Sequence, residues 1–84
     1  MPLMELIVFI LNKMEFKVYK AVKGNLTFKI EEDFPEIGVY YFVFENENNI
    51  YDDLQNSVAD CQEIILEKYG IQLSEWSEID PIII

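Results

Sequence analysis

Hydrophobic and polar positions change their period several times along the 84 residues, and each change marks an element. The chain opens on an apolar run, Leu3 to Leu11, interrupted only by Glu5. From Phe16 to Val22 a two-residue period takes over, with Phe16, Val18 and Val22 set against Lys17, Tyr19 and Ala21, and Lys20 the exception on the apolar side. That alternation predicts a strand with one wet face. Gly24-Asn25 readily takes positive φ, and beyond it Leu26, Phe28 and Ile30 alternate with Thr27 and Lys29. A hairpin is expected, its lysines gathered on the solvent side.

Glu31-Glu32-Asp33-Phe34-Pro35-Glu36 breaks the alternation. Pro35 lacks the donor that a central strand needs, so this stretch reads as a connecting loop ending near Gly38. Val39-Tyr40-Tyr41-Phe42-Val43-Phe44 is β-branched or aromatic throughout and apolar on both faces, which predicts a central strand. Glu45 to Asn49 is polar turn material, and Ile50-Tyr51 can add a short further strand before Asp52-Asp53. Leu54, Val58, Cys61, Ile65 and Tyr69 then recur every three or four residues, placing an amphipathic helix over residues 54–69 with Asp60, Glu63 and Glu67 outward. Ser57 or Asp53 can cap its start, and Gly70 ends it with Ile71 folding back on the last turn. Ser74 to Glu78 forms one more short turn that seats Trp76, and Pro81-Ile82-Ile83-Ile84 closes the chain with an apolar tail.

These elements give one α+β domain over residues 1–84: an antiparallel sheet of three to four strands, near 15–23, 25–31, 38–45 and 49–52, with one main helix packed on one face. A chain this short buries only about 60–65% of its unfolded surface. Its 51% hydrophobic and 14% aromatic content is nevertheless well above that of a disordered acidic segment, so a packed core is expected. Cys61 is the single cysteine and cannot form an intramolecular disulfide, which points to a reducing, cytoplasmic setting. No lysine or arginine precedes the Leu3–Leu11 run, which disfavours secretion. That run is also about half of the roughly 20 apolar residues a spanning helix needs, so no membrane association is expected. Residues 1–13 read as native core, as a dimerisation element or as the product of an upstream translation start.

Charge changes the picture most. Net charge is −10, and it is divided unevenly: residues 1–29 carry five lysines against Glu5 and Glu15, while residues 30–84 carry only Lys68 against fourteen acids. Such a field repels nucleic acid, whose binding rests on cationic side chains neutralising phosphates, and it steers a basic protein into encounter. It also keeps a small domain soluble.

The sequence has no histidine, and all six of its cations are lysines, so the commonest general acid–base group and the bidentate phosphate clamp are both missing. No glycine-rich loop, nucleophile–base pair or thiolate metal cluster can be assembled, and no cofactor is expected. Cys61 lies on the apolar helix stripe, where a free cysteine packs as a small hydrophobe. Glu45, Glu47, Asn49 and Asp52 supply oxygens near one turn but lack the glycine and terminal glutamate of a calcium loop. A non-enzymatic binding protein is therefore expected, with Glu31, Glu32, Asp33, Glu36, Asp52, Asp53, Asp60, Glu63 and Glu67 as its partner-facing acids. Tyr51 and Trp76 are the amphipathic rings suited to anchor that interface, and Tyr40 reads as a sheet-face aromatic.

Tyr40 to Phe44, then Asp52-Asp53-Leu54-Gln55-Asn56-Ser57 with Ala59 and Cys61, and Tyr69-Gly70-Ile71 with Trp76, resemble the layout of small bacterial immunity proteins of toxin systems. The resemblance covers about residues 39–76. It implies a helix packed on a small sheet and a protein that neutralises a basic toxin. The alternative expectation is a self-associating protein, a homodimer through Leu3–Leu11 and the Ile82–Ile84 tail, since an unpaired apolar edge invites pairing between copies.

Overall fold

A computed structural model describes residues 16–79. They form an α+β fold with a five-stranded, wholly antiparallel sheet and one helix. In chain order the elements are β1 (Val18–Lys23), β2 (Leu26–Glu32), β3 (Val39–Glu45), β4 (Asn48–Gln55), α1 (Val58–Tyr69), a 3₁₀ turn (Leu73–Glu75) and β5 (Ser77–Ile79). The sheet order is β4-β3-β2-β1-β5, so the first four strands form a meander and the fifth returns to pair with the first.

Gly24 at φ +61° turns β1 into β2, and Asn46 at φ +56° turns β3 into β4. Both are residue types that enter the left-handed region at small cost. α1 starts where Ser57 Oγ accepts the Asp60 N–H at 3.1 Å, and it stops where Gly70, at φ +76°, donates its N–H to the Leu66 carbonyl. Its twelve residues reach about 18 Å at 1.5 Å per residue, enough for the roughly 14 Å of three strand spacings from β4 to β1. The helix therefore crosses from the β4 edge towards β1, and Lys23 Nζ on β1 donates to the Tyr69 carbonyl at its far end (3.0 Å).

The core lies between sheet and helix. Ala21, Phe28, Ile30, Val39, Tyr41 and Val43 face Cys61 and Ile65 of α1 and Ile71 beyond it, with Trp76 and Tyr69 packed at the margin. The Phe28 and Tyr69 rings meet at 4.9 Å.

Four expectations are corrected. The sheet has five strands, because Ser77–Ile79 leaves the 3₁₀ turn to pair with Val18–Lys20. The phase of β1 is the reverse of that expected: Tyr19 and Ala21 turn to the core, while Val18, Lys20 and Val22 take the other face, since pairing with β2 sets Ala21 opposite Phe28 and Tyr19 opposite Ile30. β4 runs to Gln55, so the helix begins at Val58, and Leu54 is a strand residue 43% exposed. Finally, the hairpin lysines divide between faces, with Lys20 opposite Lys29 on the uncored side and Lys23 turned to the helix terminus. Residues 1–13, the Leu3–Leu11 dimerisation element and the Ile82–Ile84 tail lie outside the described residues.

Candidate functional site: an acidic end of the sheet

Antiparallel register decides which carboxylates meet. Glu31 lies opposite Val18 and Tyr40, and Tyr40 lies opposite Leu54. The start of β1, the end of β2, the start of β3 and the end of β4 thus share one end of the sheet. α1 begins at the same end, three residues after Gln55. Glu31, Glu32, Asp33, Glu36, Asp53 and Asp60 are gathered there from three separate stretches of chain: the β2–β3 connection, β4 and α1.

The connection between β2 and β3 forms the tip. Asp33 donates its N–H to the Gly38 carbonyl (3.1 Å), and Ile37 and Gly38 donate theirs to the Phe34 carbonyl (2.8 and 3.0 Å). Asp33 Oδ1 accepts the Phe34 N–H at 2.7 Å, while Glu32 Oε1 accepts the Lys17 N–H at 2.7 Å. Gly38 is needed twice over: its φ is +117°, and a Cβ there would collide with the Gln55 carbonyl oxygen of β4. A loop tied this way loses little further entropy when something docks on it. At its crest Phe34 and Ile37 are 45% and 42% exposed, with the Phe16 ring edge-on to Phe34 at 5.0 Å.

The remaining expected acids divide. Asp52 and Asp53 are neighbours on β4, so the pleat sends them to opposite faces: Asp53 stands opposite Tyr41 on the helix side and accepts the Gln55 Nε2–H at 3.0 Å, and Asp52 stands opposite Phe42 and accepts from Asn49 Nδ2 at 3.3 Å. They were expected to flank the helix; the longer β4 separates them. Asp60 lies in the first turn of α1, where the helix dipole favours an anion. Glu63 and Glu67 are exposed but climb the helix away from the acidic end.

The two rings lie elsewhere. Tyr51 is on β4 towards the far end, its ring 5.9 Å from that of Tyr41 and 5.2 Å below Lys68 Nζ. Trp76 packs against the core, its Nε1 buried without a hydrogen-bond partner among the described residues. Neither joins the acidic end. Lys23 and Lys68 also sit at the far end, and among the described residues one ion pair forms, Lys29 to Glu31 at 3.1 Å. Glu45 and Glu47, exposed in the β3–β4 turn, share that far end, so an excess of carboxylates and not a full separation of sign marks the β2–β3 end.

Phe34 and Ile37 were not singled out from sequence. The available signal was two large apolar residues inside a proline-containing acidic loop, where neither strand nor helix period gives them a core to enter.

Cys61 is fully buried, its thiol 3.7 Å from the Val39 carbonyl, and burial, reinforced by Asp60 and Asp53, pushes its pKa up to about 11. A thiol so held stays protonated at neutral pH and is a poor nucleophile. The Tyr41 hydroxyl beside it finds no partner among the described residues, and burial likewise raises its pKa well beyond the usual tyrosine range. No cluster of three or more His, Cys, Asp or Glu side chains suited to a metal ion occurs among the described residues, and none of their helices is long and apolar enough to cross a membrane.

No family model, curated protein or solved structure matches the chain.

Proposed function

We propose that the chain is a non-enzymatic acidic protein-binding module, an immunity-type inhibitor whose acidic end seats on the basic surface of a toxin. What supports this reading is the convergence of Glu31, Glu32, Asp33, Glu36, Asp53 and Asp60 around two exposed apolar side chains on a hydrogen-bonded loop. The two parts have different work. Exposed carboxylates contribute little affinity each but raise the association rate with a cationic partner, by up to 10- to 1000-fold at low salt. Burying Phe34 or Ile37 in a partner's cleft supplies about 1.5–3 kcal/mol apiece and slows dissociation. Glu63 and Glu67 extend the same field along α1. The single buried thiol suits a reducing cytoplasm.

The test is affinity capture on the native chain beside the variant Glu36→Lys/Asp60→Lys. A basic protein should be retained at low salt, should lose at least tenfold in affinity as ionic strength rises, and should lose a similar factor on the variant. The variant's cooperative urea transition should show it folded and destabilised by no more than about 1 kcal/mol, the scale of an ion in the first turn of a helix. A partner held equally by both chains, or indifferent to salt, would overturn the proposal.

A further inference from the structure

The face of the sheet turned away from α1 carries its own apolar array. Tyr40, Phe42 and Phe44 stack along β3 with ring centroids 6.2 and 6.3 Å apart. Val18 and Val22 of β1 and Leu54 of β4 share that face, as the register requires. Among the described residues no element packs on it, since α1 and the residues after it pack on the opposite side. Yet Val18 is only 5% exposed while standing outside the core cluster. Within the sheet it is paired with Glu31 and Ile79.

Where the chain enters matters. Fifteen residues precede Phe16, and the chain joins the sheet at Val18, at one end of this face. Those residues include Leu3–Leu11, whose only charge is Glu5. Residues 3–14 reach about 18 Å even at helical rise and about 40 Å extended, whereas β1 to β4 is about 14 Å across. Lys20 and Lys29 lie opposite one another on this face, which also carries the carboxylates Glu31 and Asp52. Glu31 pairs with Lys29, and the acid in that run has the sign to meet Lys20, which has no ion-pair partner among the described residues.

A second copy of the chain is the competing occupant. Four strands of about six residues offer about 400 Å² per copy, half of the roughly 800 Å² per partner of a standard stable interface. A tethered segment is present at millimolar effective concentration and bears no cost of association. Area and connectivity both favour the chain's own residues.

We propose that the Tyr40–Phe42–Phe44 face is a docking surface for residues 3–14 of the same chain, independently of what the acidic end binds. The array is then the second half of a two-sided core, which explains why β3 is apolar at six consecutive positions.

The full-length chain with benzoylphenylalanine in place of Phe9 tests this directly. Illumination should give a product of monomer mass whose cross-link maps to residues 39–45 or 54. A product of dimer mass, or a cross-link mapping elsewhere, overturns the proposal. Because the probe itself can disturb packing, Ile7→Ala and Phe42→Ala provide a second measurement: each should lower the urea midpoint, and the double variant should lose clearly less than the two losses combined. Strict additivity would equally overturn it.

Discussion

The two faces of the sheet use the same strands to opposite ends. On the α1 side, Phe28, Ile30, Tyr41 and Val43 are all but sealed against Cys61, Ile65 and Ile71. On the other side, β2 presents Thr27, Lys29 and Glu31, while β3 presents three aromatic rings that remain partly accessible. β2 is thus amphipathic and β3 is apolar on both sides. Hydrophobicity alone does not tell the two faces of β3 apart; the layer that covers each one does, and among the described residues α1 covers only one of them.

That contrast can be broken in several ways. The largest effect is expected from Phe28→Ala, which empties a fully buried site against Tyr69 and should cost about 3–5 kcal/mol by urea denaturation. Thr27→Ala, one residue away on the other face, should cost under about 1 kcal/mol; comparable losses at both positions would abolish the distinction.

Ser57→Ala acts on the covering layer instead. It removes the acceptor for the Asp60 N–H and should destabilise the domain by about 1 kcal/mol, with Ser57→Asp restoring most of the loss. An unchanged midpoint would mean that packing, without the cap, places the helix.

The finest probe is Cys61, sealed beneath α1. Well below pH 9 its thiol is protonated in both folded and unfolded chains and adds no pH dependence. As pH rises, the unfolded thiol ionises first, near its usual 9.0, while the folded one keeps its proton until about 11, so stability declines across that interval. Cys61→Ala should flatten this part of the profile, read as the difference between the two chains from pH 8.5 to 11. Identical profiles would mean that water reaches the thiol and that the helix side is less closed than its burial indicates.

How much of this was legible in the residues varies by element. β2 and β3 were read with nearly their observed bounds, because two-residue alternation and an unbroken β-branched and aromatic run are local signals. The stripe Val58, Cys61, Ile65, Tyr69 and its Gly70 stop were equally plain. β1 was read out of phase because Val18 and Val22 outrank Ala21 and Tyr19 in hydrophobicity, although β2 pairing turns the latter two inward. β5 escaped notice: Ser77–Ile79 is polar and short, and it is a strand only because the β1 edge is free to receive it. Of the candidate site, the loop acids were visible as a run. Their meeting with Asp53 and Asp60, the exclusion of Tyr51 and Trp76, and the prominence of Phe34 and Ile37 were not.

Composition, charge and local period were enough to establish an acidic α+β domain with an antiparallel sheet and one amphipathic helix, since each depends on residues within a few positions of one another. Strand order, the phase of β1 and the gathering of carboxylates from three stretches of chain belong to the tertiary structure alone. They follow from pairing across the sheet and from where α1 begins, and residues that distant in sequence carry no local mark of their neighbours.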